Sequence, residues 1–186
     1  MKIKHQLHLL LVIAAILTGL TACQKSTKDQ LVGTWHYAKT MTVDGSDISS
    51  DGVSTNNQNG TFSDEASMTV TTDTEVEGIN VQLKIGISMK SSGEWTLNDK
   101  EIVFSPTSAG IKVTYMKYYD PSDGSFLAEL TGKELKEASN AFADEMKESL
   151  LEASTERIIM LQENKYVTES TDDDGKKETI TYNRMR

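Results

Sequence analysis

Few side chains in this sequence have the types and spacing that chemistry needs. There is one cysteine, Cys23, and there are three histidines, His5, His8 and His36, against 28 aspartates and glutamates. A Ser-His-Asp or Cys-His mechanism needs an imidazole held beside its nucleophile, and zinc needs several Cys or His ligands at short spacing. Neither pattern occurs, so no catalytic residue and no metal site is expected. The run Asp172-Asp173-Asp174-Gly175 is acidic enough to attract calcium, but an EF-type register would begin at Ser170 and end at Thr181, where a bidentate Glu is required. The run reads instead as a solvated hairpin turn, for which Asp-Gly is a strong signal. No Gly-x-Gly-x-x-Gly and no P-loop is present, so no nucleotide cofactor is implied. Paired carboxylates could serve glycoside hydrolysis, yet spacing singles out no pair. The expectation is a binding protein that is not an enzyme and uses no cofactor.

Length and charge narrow the class further. The chain has 186 residues, room for one domain of ordinary size, with 37% apolar and 25% charged side chains. Its net charge of -9 has the wrong sign for a surface that must neutralise phosphates, which argues against nucleic acid as a partner.

The first residues have their own composition. Lys2 and Lys4 make a basic start, Leu9 to Leu17 is an unbroken apolar run, and the first acid is Asp29. A basic start followed by a short apolar run is the pattern of a secretion signal, and the run is too short to span a bilayer, which takes about 20 residues. Leu20-Thr21-Ala22-Cys23 follows, and it resembles the lipobox of bacterial lipoproteins. The resemblance implies cleavage between Ala22 and Cys23 and lipidation of the Cys23 sulfur, with residues 1–22 as signal peptide and 23–30 as a lipidated tether. Several acyl chains on one residue exceed the two-signal requirement for stable membrane anchoring. Gln24 stands where an inner-membrane retention signal would place Asp, so the resemblance points to the outer membrane. Loss of Lys2 and Lys4 with the signal takes the net charge from -9 to -11, and His36 is the one histidine left.

From Leu31 onward the dominant period is two, the mark of half-buried antiparallel strands. Ile79, Val81, Leu83, Ile85, Ile87 and Met89 alternate with polar residues or glycine, and Phe62, Ala66, Met68, Val70 and Thr72 do so before them. The two runs predict a long hairpin turning at Glu77-Gly78. Shorter strands are expected at Glu94 to Leu97, after a turn at Ser91-Ser92-Gly93, then at Glu101 to Phe104 and at Ile111 to Tyr118. At the C-terminus the strands are Arg157 to Gln162, Tyr166 to Ser170 and Glu178 to Asn183. The stretch from Thr42 to Gly60, rich in Asp, Ser, Asn and Gly, is expected to be a long mobile loop. One segment breaks the pattern: Leu135, Ala138, Phe142, Met146, Leu150 and Ala153 recur at helical spacing, and Thr131 with Glu134 fits a capping box. A helix near 131–154, packed on the sheet, follows.

Leu31-Val32-Gly33-Thr34-Trp35 opens the first strand, and this Gly-x-Trp, ahead of a strand meander and a late helix, resembles the N-terminal signature of lipocalins and their calycin relatives. The resemblance implies an all-β, antiparallel meander barrel of about 8–10 strands over residues 31–186. It also implies that Trp35 packs across the closed end beneath an Arg of the last strand, for which Arg184 is the candidate, while Gly33 serves the same structural signature. The chain departs from the family in placing three strand signals after the helix. A lipocalin-like interior would hold a small hydrophobic ligand, lined here by Met68, Val70, Leu83, Ile85, Trp95 and Tyr115. The alternative is a filled barrel whose acidic surface or helix docks another envelope protein.

Overall fold

A computed structural model describes residues 26–43, 45–171 and 175–186. Ala22, Cys23 and the Asp172-Asp173-Asp174 run lie outside the described residues. A short helix, α1 (Thr27–Leu31), leads into strands β1 (Gly33–Val43), β2 (Ser46–Asn56), β3 (Thr61–Val76), β4 (Ile79–Asn98) and β5 (Glu101–Tyr119). After them come β6 (Phe126–Glu129), a long helix α2 (Gly132–Leu151), and β7 (Ser154–Gln162), β8 (Lys165–Thr171) and β9 (Lys177–Arg184). All pairings are antiparallel, in the order β4-β3-β2-β1-β9-β8-β7-β5-β6, and β4 also pairs with β5. The sheet therefore closes into a ring of eight strands, with β6 attached to one edge of β5. This is the expected all-β, barrel-like class.

The ring is closed at one end only. β1 meets β9 over Trp35 to Tyr37, and β5 meets β7 over Glu101 to Phe104. By contrast, β3 and β4 pair continuously from Thr61↔Glu94 to Val76↔Ile79. At about 3.3 Å per residue the 20 residues of β4 run roughly 65 Å, far beyond the closed ring. The barrel thus flares into an open sheet, whose inner face needs a cover. Helix α2 supplies it: Leu135, Ala138, Phe142 and Met146 pack against Ile85, Ile87, Val113 and Met116. A second core, inside the closed ring, gathers Leu31, Trp35, Phe62, Trp95, Ile158 and Tyr166, among others.

Several expected boundaries differ. Thr42 to Gly60 is not a loop: β1 runs to Val43, and β2 fills Ser46 to Asn56 between two full ladders. Its inward positions, Ile48, Ser50, Gly52, Ser54 and Asn56, are mostly small or polar, which hid the alternation. Backbone pairing on both edges holds this strand despite its low intrinsic propensity. Ser91-Ser92-Gly93 is not a turn but part of β4, where the register with β5 shifts between Ser92 and Gly93. Pro106, opposite Gly93, sits at that irregularity, the place in a sheet where a residue without an N–H is tolerated. The two strands expected between Glu101 and Tyr118 are accordingly one. The expected capping box is absent as well: Thr131 is the N-cap of α2 but makes no side-chain cap bond, and Gly132 follows it with a positive φ of 55°.

The turn between β3 and β4 is the expected one. Glu77 and Gly78 have φ of 52° and 83°, the double left-handed geometry of a two-residue hairpin loop. Residues 27–30, the end of the expected tether, are helical in α1, capped by the Ser26 hydroxyl accepting from the Asp29 N–H at 3.1 Å and docked by fully buried Leu31.

Candidate functional site

At the closed end Trp35 is fully buried and its indole N–H donates to the Leu31 carbonyl at 2.8 Å. The Arg184 guanidinium lies 4.1 Å from the centre of the Trp35 rings, and it donates to the carbonyls of Val32, Gln30 and Glu163. Gly33 leaves the space for it, since a Cβ there would stand 2.4 Å from Arg184 Nη1. The three residues form a structural plug. Above them an aromatic column continues inward: Tyr166 meets Trp35 edge-on at 4.7 Å and stacks on Tyr182 at 4.3 Å, and Tyr182 meets Tyr37 at 5.4 Å.

Where this column ends, between the ring and the C-terminal end of α2, is a cavity of about 270 Å³. Its apolar walls include Phe62, Phe104, Leu150 and Ile180, with the two Phe rings edge-on at 5.2 Å. Its polar side carries Asp64 from β3, Glu156 from β7 and Glu152 just after α2, together with Ser54, Ser91, Ser149 and Ser154. Among the described residues, no Lys, Arg or His lines it. Tyr37 donates to Asp64 Oδ2 at 3.0 Å, while Tyr182 donates to Glu156 at 3.1 Å and Thr168 does so at 2.7 Å. The Tyr37 ring lies flat across Gly52 of the neighbouring strand, where a Cβ would come within 2.5 Å of it. The missing side chain at Gly52 sets the height at which the Tyr37 hydroxyl reaches Asp64.

Burial dominates the electrostatics. It pushes the Asp64 carboxyl from 3.8 up to about 6, with the charges of Glu156 and Glu65 adding to the rise and the Tyr37 bond opposing it. Burial also raises Glu156, against the bonds from Thr168 and Tyr182 and the field of Lys39. The hydroxyls of Tyr37 and Tyr182 are pushed upward by burial and then by the neighbouring carboxylates, so both remain donors at any ordinary pH. Lys39 itself is bonded to Glu178 at 2.5 Å. Among the described residues, no three His, Cys, Asp or Glu side chains come together to hold a metal ion.

The residues expected to line an interior lie elsewhere. Met68, Val70, Leu83 and Ile85 share the inner face of the flare, in or beside the buried cluster that α2 packs against. Trp95 belongs to the closed-end core, 1% exposed, with its N–H on the Asn57 carbonyl at 3.1 Å. Tyr115 sits on the opposite face of the sheet, its ring over Gly86 and its hydroxyl 3.3 Å from Thr69 Oγ1. None of the six touches the cavity. His36, facing away from the barrel interior, is 2.9 Å from Asp51 on the surface.

Sequence reasoning missed Tyr37, Asp64, Glu156 and Tyr182. A signal existed: Asp64 falls in phase with Phe62, Ala66 and Met68, and Glu156 in phase with Ile158. An acid at an inward position of an alternating strand must find hydroxyl partners or a polar cavity. Compared with known proteins, the chain matches no family model and no curated relative.

Proposed function

We propose that this protein is a lipid-anchored cell-envelope protein of the bacterial outer membrane, with a lipocalin-like barrel that binds a small, largely apolar molecule. The observation that carries the binding reading is the cavity at the mouth of the closed ring, walled by Phe62, Phe104, Leu150 and Ile180 and roofed by the end of α2. A concave, mostly apolar site with a few convergent polar groups is the usual form of a small-molecule pocket. The lipocalin resemblance is supported by the ring of eight strands and by the Gly33–Trp35–Arg184 plug at its closed end.

Anchoring rests on the lipobox and gains support from the placement of α1. Cys23 precedes Ser26, the N-cap of α1, by three residues, at most about 10 Å of chain. α1 docks on the closed end, so a lipid on Cys23 holds that end at the bilayer and turns the cavity away from it. No described helix is long and apolar enough to cross a membrane. A second reading, an envelope-protein docking module, draws on the exposed apolar residues at the far end of the flare, Ile79 at 64% and Phe126 at 57%.

Native mass spectrometry on protein extracted gently from its own envelope, compared with the denatured mass, tests the ligand reading. A discrete extra mass of roughly a few hundred daltons is the expected result for a pocket of this size. Equal masses overturn it, and a mass added by another protein chain favours the docking reading. Cys23→Ala should release the protein from the membrane fraction, and unchanged fractionation with normal processing would sink the anchoring claim.

A further inference from the structure

Among the described residues, the charged groups that line the cavity are all acidic. Of its ionisable lining groups, Asp64, Glu152 and Glu156 are acids and none is a base; the nearest cation acting on Glu156, Lys39, is already bonded to Glu178. The hydroxyls of Tyr37 and Tyr182 are engaged with the acids, so neither is free to donate to a ligand. Tyr37 uses only Oδ2 of Asp64, leaving Oδ1 open. Aromatic faces from Tyr37, Phe62, Phe104 and Tyr182 complete the lining, and such faces attract cations.

Building on the ligand-binding reading above, we propose that the molecule held in this cavity is a small organic cation, an amine or guanidine on an apolar body, with its charged N–H groups directed at Asp64 and Glu156. A fatty-acid-like anion would meet three carboxylates and no compensating base. A metal ion would need three converging ligands, which the described residues do not bring together. At about 270 Å³ the cavity is at or below the lower end of ordinary small-molecule pockets, so the apolar body is a single ring or a short chain.

Three probes with one body and different heads separate this from the broader reading: phenylbutylamine, phenylbutanol and phenylbutyrate. Each is titrated by saturation-transfer NMR against the full-length protein in lipid nanodiscs, with empty nanodiscs as the blank. The amine is expected to bind at least about tenfold tighter than the alcohol, and the acid weakest, as charge-assisted bonds outweigh neutral ones. Asp64→Asn and Glu156→Gln keep acceptors for the two tyrosines; in each the amine should lose about tenfold while the alcohol changes less than about twofold. Thermal midpoints of both variants establish that they fold. Amine binding equal to or weaker than alcohol binding overturns the cation proposal and leaves the apolar pocket standing, whereas no binding by any probe overturns both. Amine binding untouched in both folded variants places the probe elsewhere and also overturns the proposal.

Discussion

The Arg184 guanidinium stacks 4.1 Å over Trp35 while its nitrogens donate to three backbone carbonyls on both sides of the barrel seam. Arg184 lies on the last strand and Trp35 on the first, so this contact ties the ends of the folded chain together where β1 and β9 share only three residues of ladder. A planar five-donor group suits that task and an ammonium does not. Arg184→Lys should cost about 2–3 kcal/mol, from the lost hydrogen bonds and part of the cation-π contact. Urea denaturation measures it, and a change under about 0.5 kcal/mol would mean that the seam holds without the guanidinium.

Asp64 makes stability depend on pH in an unusual direction. Its carboxyl binds a proton more tightly folded, near 6, than unfolded, near 3.8, because burial and the charges of Glu156 and Glu65 outweigh the Tyr37 bond. The folded state is therefore favoured by protonation: Asp64's contribution is greatest below about pH 4, declines as pH rises through about 6, and stays low above. The cost at pH 7.5 is at most about 2–3 kcal/mol. Asp64→Asn, which keeps an acceptor for Tyr37, should raise the urea midpoint at pH 7.5 and leave it nearly unchanged at pH 4. Equal effects at both values would contradict the assignment.

Gly52 exists for Tyr37. A Cβ at Gly52 would stand 2.5 Å from the Tyr37 ring, so Gly52→Ala must push the ring off its seat and away from Asp64. Overpacking of this kind costs roughly 1–3 kcal/mol. Thermal unfolding of Gly52→Ala, alone and combined with Tyr37→Ala, tests the cause: removing the ring should remove most of the penalty.

At the far end of the flare, Glu77 holds a left-handed φ of 52° at a position where glycine or asparagine belongs. Glu77→Gly should stabilise the protein by about 0.5–1 kcal/mol, since a two-residue loop of this type needs positive φ at both places. A lowered thermal midpoint would show that the Glu77 side chain makes contributions that outweigh its backbone strain.

How much of this was legible depended on whether inward residues were apolar. β3 and β4 could be read because Met68, Val70, Leu83, Ile85 and Ile87 alternate cleanly, and α2 because Leu135, Ala138, Phe142 and Met146 keep one face. β2 could not, since its inward Gly52 lies against the Tyr37 ring and its inward Ser54 lines the cavity, so neither position carries an apolar side chain. For the same reason the site was invisible: Asp64 and Glu156 were two acids among 28 until the ring closed around them.

The sequence by itself determined the class of the fold, the turn at Glu77-Gly78 and the amphipathic helix, because each is written in local spacing, while Arg184 was named only through the resemblance that Gly33 and Trp35 carry. Tertiary structure alone decided where the helix lands and what remains open. By packing against the cluster of Ile85, Ile87, Val113 and Met116, α2 leaves the cavity to Tyr37, Asp64, Glu156 and Tyr182. These four come from four strands far apart in the chain, and periodicity within a strand gives its faces but not the strands it will meet across a closed ring.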